Sequence, residues 1–89
     1  MTESIDDIFR DAERVIGLYG VIYNSIRELG PRRVFSWDDY RTLKKDMTSL
    51  QALSNKYPSA EWIREQIAIL QKFAKEEMRP WVYKRIYKS

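Results

Sequence analysis

Residues Ile5–Leu29 read IDDIFRDAERVIGLYGVIYNSIREL, with apolar residues at Ile5, Ile8, Ala12, Val15, Tyr19, Ile22, Ile26 and Leu29. Steps of three and four alternate without a slip, which is the period of one face of an α-helix. Phe9, Ile16 and Tyr23 widen that stripe on one flank. Gly30-Pro31 predicts its end, because glycine tolerates a left-handed cap and proline cannot continue the hydrogen-bond ladder. The middle of the segment is more apolar than one stripe requires, since Leu18 and Val21 stand outside it, each directly preceded by a glycine, Gly17 and Gly20. Two glycines within one turn cost about 1 kcal/mol each against alanine. An offset is expected, either the close approach of another helix or a bend. A central helix flanked on both sides needs such a wide apolar arc; an exposed groove for a partner helix or a second copy of the chain is the alternative.

Two shorter stripes follow. Tyr40, Leu43, Met47 and Leu50, with Leu53 and Tyr57, predict a helix over about 37–54, broken at Tyr57-Pro58-Ser59. Ala60, Ile63, Ile67, Leu70 and Ala74, flanked by Trp62, Ile69 and Phe73, predict another over about 60–78. Strand alternation is nowhere sustained. The expected fold is therefore all-α, a small antiparallel three-helix bundle over 1–78 with a basic-aromatic C-terminal arm over 79–89.

Each predicted helix carries a start signal. Ser4-Ile5-Asp6-Asp7 and Ser36-Trp37-Asp38-Asp39 share one spelling, and Ser59-Ala60-Glu61 repeats the idea. A serine hydroxyl accepts from the unpaired amides of the first turn, and acids there meet the positive end of the helix dipole. The Asp pairs are therefore assigned to capping rather than to metal binding or acid–base chemistry. Glu76-Glu77 is assigned to a solvated face.

Composition narrows the function classes. The chain of 89 residues has no cysteine and no histidine, which removes disulfides, thiolate metal sites and the commonest general base. No glycine-rich phosphate loop or nucleophile elbow is present, so a non-catalytic protein without a cofactor or metal is expected. The first residues are acidic, unlike a signal peptide. The longest uncharged run, Val15–Ile26, is short of the roughly 20 apolar residues that cross a membrane, so a soluble, cytoplasmic protein is expected.

Net charge is +3, unevenly spread: residues 1–30 carry −3, residues 31–58 carry +3 and residues 59–89 carry +3. At about 1.5 Å per residue the first helix would run about 37 Å and the second about 27 Å. Short turns make neighbours antiparallel, so the second helix should stop about 10 Å short of the start of the first. Ile5, Ile8 and Phe9 would then lack full cover. The C-terminal arm would meet the Pro31-Arg32-Arg33 turn at one basic pole, with Asp6, Asp7, Asp11 and Glu13 towards the other end.

The arm reads RPWVYKRIYKS from Arg79 to Ser89. Pro80 suits the first position of a new short helix. As a helix the arm separates Trp81, Lys84, Arg85 and Lys88 from Val82, Tyr83, Ile86 and Tyr87; as a strand it would align Trp81, Tyr83 and Tyr87. Either Val82 and Ile86 close the core, or the cations meet phosphates or an acidic protein while aromatics stack on bases or sugars. A helix-turn-helix with Arg64, Gln66 and Lys72 as readers is disfavoured, because Glu61 and Glu65 would face phosphates.

The expected function is an accessory or adaptor subunit docking on a larger assembly, one handling nucleic acid in the manner of a polymerase-like machine. Arg32, Arg33, Arg79, Trp81, Lys84, Arg85 and Lys88 are its candidate contacts to nucleic acid or an acidic partner. Ile5, Ile8, Phe9, Gly17, Leu18, Val21, Trp62 and Phe73 are its candidate protein-docking residues. The alternatives are a stand-alone DNA- or RNA-binding protein and a homodimer completed through the first helix.

Overall fold

Residues 5–30 and 36–87 are described by the structure, a computed structural model. They form four helices: α1 (Ile5–Leu29), α2 (Trp37–Lys56), α3 (Glu61–Glu77) and α4 (Pro80–Tyr87). The three long helices pack on one another, and no strand occurs among the described residues.

Contacts at the helix ends fix the topology. The end of α2 meets the first half of α1, where Lys56 Nζ lies 2.8 Å from Asp11 Oδ2 and the Tyr57 hydroxyl donates to the same oxygen. Tyr23 of α1 stacks on Phe73 of α3 with ring centroids 4.3 Å apart and planes 8° from parallel. Gly30, just past α1, lies against the backbone of Glu77 at the end of α3. Thus α1 and α3 run in parallel with α2 reversed between them, as three consecutive helices on short turns must. The core is built on Val15, Ile22 and Ile26 of α1, Leu43, Leu50 and Leu53 of α2, and Ile63, Leu70 and Ala74 of α3.

Unequal lengths leave an overhang. Asp11 marks where α2 ends, so the six residues of α1 before it project about 9 Å further. Ile8 sits seven residues before Val15, on the same face, yet is 46 % exposed where Val15 is 1 %. α2 is two residues longer than its apolar stripe predicts, because Tyr57 N–H still donates to Leu53 O and the Asp11 contacts hold the last turn.

The arm is a helix, and it closes the core. Val82 and Ile86 are buried, and α4 folds back along α2 and α3. There Tyr40 Oη donates to Arg85 O (3.4 Å), Lys44 Nζ donates to Ile86 O, and Gln71 Nε2 donates to Tyr83 Oη (3.4 Å). Burying each of those two aliphatic side chains stabilises the fold by about 1.5–3 kcal/mol.

Three local expectations need correction. Among the described residues no glycine has positive φ, so Gly30 is not a left-handed cap. Its N–H still donates to Ile26 O at 2.8 Å, and glycine is required for room: a Cβ would lie 2.7 Å from Glu77 O. Gly17 and Gly20 admit no close neighbour, since a Cβ on either meets nothing within 4 Å. Ser36 caps α2 as expected, its hydroxyl accepting from Asp39 N at 3.0 Å, but Ser59 does not cap α3. Ala60 holds that position without a side-chain bond, because its N–H turns back to Tyr57 O and shifts the start by one residue. Ser4 lies outside the described residues.

Candidate functional site: a bare apolar face and a basic-aromatic pole

Two surfaces stand out, and the helix faces explain both. Ile5, Phe9 and Ile16 precede Tyr23 by eighteen, fourteen and seven residues, near-whole numbers of turns, so they share its face of α1. Trp62 and Ile69 precede Phe73 by eleven and four residues and share its face of α3. Because the Tyr23 and Phe73 rings stack, both faces open on one side of the bundle. Ile5 is 71 %, Phe9 64 %, Ile16 66 %, Trp62 42 % and Ile69 47 % exposed.

The expected docking residues therefore separate. Ile5, Phe9, Trp62 and Phe73 belong to this α1/α3 face, and Ile8 lies on the overhang beside it. Gly17, Leu18 and Val21 line a shallow hollow on the α1/α2 side instead, rimmed by Arg10, Arg14, Glu13 and Asp46. Ile16 and Ile69 complete the face. Their signal was in the sequence as flanking apolar residues, but only the Tyr23–Phe73 stack shows that the two flanks meet.

The pole is built where the start of α2 meets α4. Pro80 begins α4, and Arg79 O accepts from the N–H groups of both Val82 and Tyr83 at 3.0 Å, so the chain turns at Arg79. With Val82 and Ile86 buried, the three- and four-residue spacing puts Trp81, Lys84 and Arg85 on the outer side, all exposed. Trp37 joins them through a chain of contacts. Its ring stacks on Tyr40 at 5.4 Å and 16°, and the Tyr40 hydroxyl donates to the Arg85 carbonyl one turn below Trp81. Trp37 is 61 % exposed and Trp81 50 %. Arg32, Arg33 and Lys88 lie outside the described residues, so the pole is described through Arg79, Trp81, Lys84 and Arg85. Asp38 sits beside Trp37 but is paired with Arg41 at 2.8 Å.

The acidic end is partly neutralised. Asp7 lies 3.7 Å from Arg10, and Asp11 is held between Lys56 and Tyr57. The hydrogen bonds from Lys56 and then Tyr57 lower the Asp11 pKa from its ordinary value. On α4, burial and then the neighbouring Tyr83 push the Tyr87 hydroxyl up to about 12, so Tyr87 stays neutral against the core. Beneath α4 lies a hollow of about 250 Å³ floored by Ile22, Leu50, Leu70 and Ile86. Among the described residues no group of three acids could hold a metal ion, and no helix is long and apolar enough to cross a membrane.

No family model, curated protein or solved structure matches this chain.

Proposed function

We propose that this protein is a non-catalytic adaptor: a small cytoplasmic subunit that docks on a larger assembly through its α1/α3 face and turns its basic pole towards nucleic acid. An accessory subunit of a polymerase-like machine would be built this way. The observation that carries the proposal is the uncovered row Ile5, Phe9, Ile16, Trp62 and Ile69, 42–71 % exposed on a domain that buries its other long apolar stripes. An apolar strip of this kind marks a protein contact, and aromatic anchors such as Phe9 and Trp62 are the residue types that dominate such contacts. Charge supports the second half, because α4 carries Lys84 and Arg85 and no acidic residue.

Affinity capture from an extract of the source organism tests it, with Phe9→Glu/Ile16→Glu compared against the parent chain. Both positions are exposed, so the variant should melt with the parent while its specific partner is lost. Lys84→Ala/Arg85→Ala should retain that partner. Identical capture by the parent and the glutamate variant would overturn the proposal.

A further inference from the structure

We infer that the basic pole binds single-stranded nucleic acid, stacking bases on the indoles of Trp37 and Trp81 while Arg79, Lys84 and Arg85 neutralise phosphates. This deepens the role proposed for the pole, on which it rests, by naming the class of nucleic acid. Tryptophan is a large apolar side chain, and two on one small domain remain at least half exposed at the same end: Trp37 at 61 % and Trp81 at 50 %. Neither fills the core. The Tyr40 ring backs Trp37 at 5.4 Å, which holds the indole as a flat plate with one face turned outward. The Tyr40 hydroxyl ties that plate to α4 at Arg85, four residues after Trp81.

Exposed aromatic faces beside exposed cations form a surface that suits unstacked bases, because every base presents a π-face while the backbone beside it carries the charge. A duplex keeps its bases stacked on one another and would leave both indoles idle, engaging the cations alone. An acidic protein surface would also meet the cations, with nothing for the indole faces to stack on. Two carboxylates follow Trp37 in the first turn of α2, Asp38 and Asp39, and Asp38 is paired with Arg41 at 2.8 Å.

Fluorescence anisotropy of the full chain with a labelled oligothymidylate tests the inference, using a duplex of the same length and polyglutamate as competitors. The single strand should bind best. Its log affinity should fall against log salt with a slope near −2, as expected for about three phosphates neutralised on a single strand. Trp81→Ala and Trp37→Ala should each weaken binding roughly tenfold, while Trp81→Phe restores most of it, because stacking survives on a smaller ring. Trp62→Phe, on the α1/α3 face, should leave affinity unchanged. Should Trp37→Ala melt early through loss of its Tyr40 contact, Trp81→Ala and its phenylalanine rescue decide the matter alone. Equal affinity for duplex and single strand, stronger competition by polyglutamate, or an unaltered Trp81→Ala would each overturn the inference. None of these results bears on capture through Phe9 and Ile16, so the docking proposal stands or falls separately.

Discussion

Adding a methyl group to this chain should have opposite effects at two of its glycines. At Gly17 a Cβ meets nothing within 4 Å, and the residue sits exposed inside a continuous helix. Gly17→Ala should therefore stabilise the fold by about 1 kcal/mol, the difference in helix propensity. At Gly30 the same atom would lie 2.7 Å from Glu77 O and 2.8 Å from Ile26 O, both backbone atoms that cannot swing away. Gly30→Ala should destabilise by about 1–3 kcal/mol, as forced overpacking does, by prising the ends of α1 and α3 apart. Thermal melts of the two variants check this, and shifts of the same sign would refute it. The contrast also shows what the sequence could not reveal. Glycine before proline is a fair stop signal, and the helix does stop there. Whether the glycine serves a backbone angle or a close approach depends on Glu77, 47 positions along the chain, and no local pattern carries that.

Elements were legible where a long period governed them. The α1 stripe predicts both its ends because twenty-five residues repeat the signal, and α3 is displaced by one residue at each end. The end of α2 was underread because its last turn is held by a contact with α1. That contact makes a prediction about acid. Lys56 and Tyr57 hydrogen-bond the Asp11 carboxylate and lower its folded pKa, so the unfolded chain takes up its proton first as pH falls. The clamp's stabilisation should be complete above the ordinary aspartate value of about 4 and fade as pH drops through the lower folded value. Urea unfolding of the parent and Asp11→Asn should then give curves that differ at neutral pH and converge below about pH 4. Curves parallel down to the lowest pH would show that the carboxylate contributes nothing. On the site side, Trp81 and the cations of α4 were readable from composition. Trp37 was hidden inside a capping signature, and only the Tyr40–Arg85 contact, across 45 residues of sequence, brings it to the pole.

For the molecule as a whole, α4 faces two ways, with Val82 and Ile86 inward and Trp81, Lys84 and Arg85 outward. A domain of this size buries only about 60–65 % of its unfolded surface and has a total stability of about 5–13 kcal/mol, so it has little apolar area to spare. Val82 and Ile86 are 1 % and 0 % exposed, under the same helix whose outer side carries Trp81, Lys84 and Arg85. Closing the core and holding out charge are therefore done by opposite faces of eight residues, and substitution should separate them. Ile86→Ala leaves a cavity against Lys44, Leu50 and Leu70 and should cost about 2–5 kcal/mol, enough to lower the melting temperature by ten degrees or more. At a temperature where that variant is still folded, its oligonucleotide affinity should match the parent's. Lys84→Ala/Arg85→Ala should do the reverse, moving stability by no more than about 0.5 kcal/mol per site while oligonucleotide affinity falls. Should the double cation variant melt as early as Ile86→Ala, the outer face would belong to the fold after all, and the pole would lose its standing as a surface kept for a partner.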